Sequence, residues 1–358
     1  MSSSIPNISG FQCPSPERQI IDFISRISRW ATLLISVLTA QLAFAWGPAG
    51  HKTVGAIADT LLVGTNAGRE VRHILGNETL ATAALWADCA KGVVLGPDGF
   101  HFVVSDRFPE CAPFQTAEGK QAMVEFVQRN WDTCQPADDE EKCHRQYHYA
   151  DVAIERDGYA RTEVGTSDHD IVGAVNAAII VLQGGTAPAP FSLTSKREAL
   201  RVLAHYIGDL HQPLHVGAIY LDASGHQVDP DQSGLDPATR NHGGNLLLDH
   251  GKKLHGLWDD IPASLTVARF KAAGTALARH VPVTTGPIEN WPEAWASETV
   301  VASHDAFRGL SFGSEDMAHT TWPVMEPAGY GAARAKLQKA QLVKAGARFV
   351  QLLKAIFP

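Results

Sequence analysis

The pattern that most restricts this chain is a histidine followed four residues later by an aspartate, and it occurs twice: His205 with Asp209 in AHYIGDLHQPLH, and His255 with Asp259 in LHGLWD. On a helix, residues four apart stack one turn above the other, about 40° apart on one face. Both segments must therefore be helical if each pair is to act together. One such pair alone says little, since surface hydrogen bonding gives the same spacing. Two are harder to dismiss, because Pro213 stops the first helix and lets His215 turn back toward the same region. Neutral imidazole and carboxylate are the expected ligands of a borderline ion such as zinc.

Helical periodicity continues through most of the sequence. It predicts helices over Thr53–Leu62, Ala67–Leu75, Leu80–Ala90, Lys120–Asn130, Asp168–Leu182, Lys196–Asp209, Leu254–Asp259, Pro262–Ala278, Pro292–His304 and Ala332–Ile356. Strand-like runs are short, such as Phe100–Val104 and Asn245–Leu248. The expected fold class is all-α. With 45% hydrophobic and 19% charged residues the chain can bury a large core, and no Pro/Gly/Ser-rich linker divides it, so one domain with loop insertions is expected. The two loop-like segments are 92–146, which holds three cysteines, and 218–244.

The first 45 residues read as an export leader. Arg26 and Arg29 precede an apolar run from Trp30 to Phe44, and Ala43-Phe44-Ala45 is a small-x-small triplet of the kind signal peptidase cuts. The run is about 15 residues where a membrane span needs about 20, so no span is expected after cleavage behind Ala45. Removing the leader takes the basic and acidic counts from 30 and 38 to 27 and 36, a net charge of −9 for residues 46–358. The mature chain keeps Cys89, Cys111, Cys134 and Cys143, an even number in an oxidising compartment. Pairing Cys134 with Cys143 and Cys89 with Cys111 closes the shorter loops, though the sequence alone leaves the other two pairings open. The expected location is periplasmic or secreted.

Further candidate positions are Trp86-Ala87-Asp88, Gln146-Tyr147-His148-Tyr149-Ala150-Asp151, Gly243-Gly244-Asn245, and the seam Trp46-Gly47-Pro48-Ala49-Gly50-His51. Together with the two histidine–aspartate pairs, these motifs (WGxxGH, WAD, HYxD, HYIGDxHQPLH, GGN and LHxxWD) stand in the order in which the chain resembles the zinc-dependent single-strand-specific nucleases of fungi and plants, the S-one/P-one type, and their bacterial relatives. The resemblance runs from Trp46 almost to the C-terminus. It implies three zinc ions: one held by Asp88, His148, His205 and Asp209; a second by His215, His255 and Asp259; a third by His51, by Asp209 as a bridge, and by the amine and carbonyl oxygen of Trp46 as the mature N-terminal residue. A free α-amine has a pKa of about 7.7 to 8.0, low enough for zinc to displace its proton near neutrality. Leader cleavage would thus complete the site. Of two His-aromatic elements, His148 is preferred to His101 because Asp151 stands three residues on and the distance to His205 resembles the family's.

The resemblance further implies hydrolysis of single-stranded DNA and RNA to 5′-phosphate products and removal of phosphate from 3′-nucleotides, by a hydroxide bridging the zincs that share Asp209. Catalytic positions carried over this way are Asp88, Asp209 and Lys91; Lys91 stands where many relatives have arginine and supplies charge without a bidentate fork. Tyr149 and Asp151 would stack on a base and bond its edge, with Asn245 and Lys91 near the phosphate. An acidic chain is a poor nucleic-acid binder unless cations are concentrated in its cleft, and three zinc ions would bring about +6 there. No stable protein partner is implied, and a monomer is expected. The alternatives are a zinc-dependent phospholipase C, which shares the fold but ends its pattern in His-x-x-x-Glu, and a secreted zinc-binding protein without catalysis.

Overall fold

The computed structural model describes residues 46–137 and 140–358. The leader expected over residues 1–45 lies outside the described residues.

Helix α1 (Pro48–Leu61) opens with proline in its first turn, where the missing N–H costs nothing. It is followed by α2 (Asn66–Leu75), α3 (Leu80–Ala83) and α4 (Trp86–Ala90). Beyond a hairpin of β1 (Val93–Gly96) and β2 (Gly99–Phe102) come α5 (Ala117–Arg129) and α6 (Cys143–Gln146). The two-residue strand β3 (Val152–Ala153) precedes α7 (Ile171–Leu182) and α8 (Lys196–Asp209), and pairs in parallel with β4 (Gly217–Ala218). The remaining helices are α9 (Pro230–Ser233), α10 (Leu254–Asp259), α11 (Val267–Ala278), α12 (Trp291–Phe307) and α13 (Tyr330–Ile356). A small sheet runs in the order β6 (Lys252–Lys253), β5 (Leu247–Asp249), β8 (Trp322–Met325), β7 (Ser311–Phe312). The mainly helical architecture agrees with the all-α expectation.

The helix that carries His205 and Asp209 has strong local reasons to form. Ser195 caps α8 by accepting from the Glu198 amide at 3.1 Å, a cap that typically contributes about 1 kcal/mol. Its neighbour α7 is apolar nearly all round and buried, and Asp170 caps it by accepting from Val172 and Gly173. The main core packs these two helices with α1, α4 and α13, filled by Ile57, Trp86, Leu203, Trp295 and Phe349. A second cluster under the small sheet holds Leu214, Leu247, Trp258 and Trp322. Among the described residues no helix is long and apolar enough to cross a membrane.

One expectation needs correction. The helix expected over Leu80–Ala90 is broken at Ala84 and Leu85 into α3 and α4. The reason is tertiary: the Ala84 carbonyl accepts from His205 Nδ1 at 2.6 Å instead of serving the helix. The segment 92–146 is ordered, with the hairpin, a 3₁₀ turn over Pro109–Phe114 and α5, which takes up most of the expected Lys120–Asn130 helix. Buried Asn130 ties it to the body, donating to the Phe126 and Ser192 carbonyls and accepting from the Ser192 amide. Disulfides join Cys89 to Cys111 and Cys134 to Cys143.

Candidate metal centre

Three groups of potential ligands lie together: His51, His205 and Asp209; Asp88, His148 and His205; and His215, His255 and Asp259. The first two share His205. All eight side chains are buried, and His51, His205 and Asp209 are fully so. A tetrahedral zinc with bonds of about 2.0–2.1 Å spaces its ligand atoms roughly 3.3 Å apart. The spacings found are close to that: 3.2 Å from His51 Nε2 to Asp209 Oδ1, 3.1 Å from His205 Nε2 to Asp209 Oδ2, and 3.4 Å from His255 Nε2 to Asp259 Oδ2. His148 Nδ1 lies 2.9 Å from Asp209 Oδ2 and 3.9 Å from Asp88 Oδ1, and His205 Nε2 is 3.5 Å from Asp88 Oδ1. Asp209 thus turns one oxygen toward His51 and the other toward His148 and His205, the arrangement a bridging carboxylate needs.

The backbone fixes the ring orientations. His205 Nδ1 meets the Ala84 carbonyl at 2.6 Å, His215 Nδ1 the His148 carbonyl at 2.9 Å, and His255 Nδ1 the Gly243 carbonyl at 2.7 Å. Each Nδ1–H donates outward, leaving Nε2 as a lone-pair acceptor facing in, which is how ligating histidines are held. Gly243 has φ +59°, and a Cβ there would lie 2.7 Å from the Leu214 carbonyl oxygen, so glycine is required for the turn that offers this carbonyl. At Gly208 a Cβ would come within 2.8 Å of His51 Nδ1, so its absence lets the His51 ring lie against α8 and stack on His205, centroids 3.8 Å apart.

His51 Nε2, Asp209 Oδ1, His215 Nε2 and His255 Nε2 are buried without a hydrogen bond. Orphaned acceptors of this kind cost free energy unless something occupies the space between them. Burial, helped by His205, pushes His51 down to about 4; burial and then His215 push His255 down to about 3. Burial opposes ionisation of Asp88, yet the Lys91 ammonium 2.8 Å away and the histidines hold it down to about 2. Asp259 goes the other way, well above the carboxylate range, through burial and the charges of Asp88 and Asp209. His205 is raised because Asp209 and Asp88 outweigh its burial. The centre so combines lone pairs without protons and carboxylates without enough positive charge, a combination that a divalent cation relieves.

The expected positions fall as follows. Fully buried Trp46 sits beside this centre, and the Gly47 amide donates to the Asp259 carbonyl at 2.9 Å. Tyr149 and Asp151 line a cavity of about 180 Å³ with Arg240 and His242. Asn245 is half-buried and donates to the His242 carbonyl at 2.9 Å. His101 is exposed on β2, away from the ligand groups, whereas His148 is among them. His211 is buried but outside them, bonded to the Ile207 carbonyl and to Arg348. Sequence reasoning missed Gln212, whose Nε2 donates to Asp259 Oδ1 at 2.9 Å while its Oε1 accepts from the Leu214 amide. Its place between His211 and Pro213, within the motif itself, was the available signal. Arg240 was missed for want of any local pattern.

The sequence signature of the S1/P1 nucleases matches residues 46–358. The chain is similar to Endonuclease 2 of Arabidopsis thaliana, 23% identical over 311 residues that cover 78% of this chain and 85% of the relative. A signature spanning the whole described body, set beside a buried centre built of histidine and aspartate, leads to one conclusion: this chain belongs to the S1/P1 nuclease family and is a nuclease-type hydrolase whose three His/Asp groups are able to hold metal.

Proposed function

We propose that the mature chain, beginning at Trp46, is an exported zinc-dependent phosphodiesterase that cleaves single-stranded DNA and RNA to 5′-phosphate products and removes phosphate from 3′-nucleotides. The observation that carries this reading is how the groups meet: His205 belongs to two of them, Asp209 turns one oxygen toward His51 and the other toward His148 and His205, and His215 of the third is bonded to the His148 carbonyl. An all-imidazole and carboxylate donor set with tetrahedral spacing suits zinc better than calcium or magnesium, which prefer oxygen. The first ion would rest on Asp88, His148, His205 and Asp209, the second on His215, His255 and Asp259, and the third on His51, Asp209 and the Trp46 terminus. Bound zinc supplies Lewis acidity and brings the pKa of water near 7.

The chain's own residues do the rest. Asp209 orients two groups at once, and Gln212 fixes the Asp259 carboxylate. The Lys91 ammonium, buried against Asp88, adds positive charge beside the centre, where a scissile phosphate would lie. Tyr149 and Asp151, immediately after His148, offer a ring and a carboxylate to a splayed base, which a single strand can present and a duplex cannot. The two disulfides support export to an oxidising compartment.

The test uses the processed protein, stripped with chelator and reloaded. Zinc should restore hydrolysis of single-stranded DNA well beyond that of duplex, with 5′-phosphate ends. Equal cutting of duplex, or hydrolysis of phosphatidylcholine in place of nucleic acid, would overturn the assignment.

A further inference from the structure

A small cavity is lined by residues that follow the candidate ligand His148 directly in the chain. Its lining includes the Tyr149 ring, the Asp151 carboxylate, and Arg240 and His242 from the segment 218–244. At about 180 Å³ it is smaller than the roughly 300–1,000 Å³ of pockets that enclose a drug-sized ligand. It suits a single base.

The Asp151 backbone is fixed from both sides. Its amide donates to the Gly165 carbonyl at 2.8 Å, and its carbonyl accepts from the Tyr220 hydroxyl at 2.7 Å. Its carboxylate, by contrast, accepts no hydrogen bond from any described residue. Burial raises this carboxyl above its ordinary range, and the charges of His242 and Arg240 work against that rise. Arg240 is equally uncommitted: the one side-chain partner of its guanidinium among the described residues is Glu140, at 3.9 Å. A carboxylate on a fixed backbone and a planar guanidinium, both with unused hydrogen-bonding capacity, therefore line one small cavity.

The four bases differ in how they could meet that pair. Guanine alone presents two adjacent donors, N1–H and N2–H₂, and beside them two adjacent acceptors, O6 and N7. Adenine and cytosine each offer a carboxylate one amino group. Uracil and thymine flank their N–H with two carbonyl oxygens, which a carboxylate repels.

We propose that this cavity selects guanine, with Asp151 accepting from N1–H and N2–H₂, Arg240 donating to O6 and N7, and Tyr149 stacking on the ring. The assignment rests on the nucleotide-hydrolase reading above and adds the identity of the base to it. One good bidentate pair is enough for discrimination of about tenfold.

The test compares kcat/KM of the zinc-loaded protein on 3′-GMP, 3′-AMP, 3′-CMP and 3′-UMP, alongside calorimetric binding of 5′-GMP and 5′-AMP, the mononucleotides that strand cleavage would release. Guanine should lead the other three by at least about tenfold. R240Q supplies the amide fork that suits adenine N6 and N7, so it should move the guanine-to-adenine ratio about tenfold or more toward adenine. R240K keeps the charge but not the fork and should lose most of the preference. Melting temperatures of both variants close to the parent's exclude misfolding, and a merely structural arginine would not exchange one base for another. Equal rates on the four nucleotides, or a guanine preference that survives R240Q, overturns the proposal. Absence of turnover on all four sinks the hydrolase reading alone; the 5′-GMP to 5′-AMP binding ratio then still decides the base.

Discussion

The two sides of the metal centre are built differently. His205 and Asp209 come from one 14-residue helix with a serine cap, packed between apolar neighbours. Asp88 and His148 come from short pieces, a five-residue helical turn and the irregular chain just after the four-residue α6. Helices that short are not stable on their own. Each of these two residues has a disulfide close by in the chain: Cys89 follows Asp88 directly, and Cys143 stands five residues before His148. On the α8 side no covalent tie is present among the described residues; on the Asp88 and His148 side a crosslink stands near each ligand. The contrast teaches that one centre can draw rigidity from two sources.

The largest effect should come from the helical side. Asp209 serves two groups, so Asp209→Asn should remove more than one zinc equivalent and lower nuclease activity by well over about 100-fold, the upper figure for losing an outer-sphere partner alone. Metal analysis with a rate measurement checks this, and a variant that keeps its full zinc complement would break the bridging assignment. Next comes the crosslinked side. The disulfides span 22 and 9 residues, and loss of each should cost about 3 kcal/mol by loop entropy. Reduction should lower the melting temperature and release zinc first from the Asp88 and His148 group while His215, His255 and Asp259 keep theirs. Simultaneous loss from both groups would erase the contrast.

The smallest effect concerns His144, also on the crosslinked side. It is buried, stacked on Trp131, and neither ring nitrogen has a hydrogen bond. Burial, with Arg145 and Lys91, pushes it down to about 3. An unfolded chain takes up this proton near pH 6.5, before the folded one does, so stability is intact above that pH and falls as pH drops toward 3, by up to about 1.4 kcal/mol per unit. His51 and His255 titrate in the same window. The readout is therefore the difference between metal-free parent and His144→Phe, whose pH dependence should be shallower; identical curves would show that His144 adds nothing.

The two halves were not equally legible in the sequence. The bounds of α8 and α10 match the expected Lys196–Asp209 and Leu254–Asp259, because the helical period is a local signal, reinforced at α8 by the Ser195 cap and Pro213. The break between α3 and α4 was invisible, since its cause, the bond from His205 to Ala84, spans 121 residues. In the segment 92–146 the helix, the strand-like run and the short-range disulfides were legible, whereas the tie from Asn130 to Ser192, 62 residues away, was not. Arg240, 89 residues from Asp151, had no nearby residue to mark it.

By itself, the sequence determined the chemical kind of the centre: histidines and aspartates at helical spacing, a glycine turn after them, and cysteines that pair in short loops. Residue type and local period settle these, because backbone sterics act over a few residues. Tertiary structure decided which oxygen of Asp209 faces which histidine, which carbonyl holds each Nδ1, and which groups share the cavity. Those outcomes depend on how distant helices pack, and close packing fixes positions that no local pattern encodes.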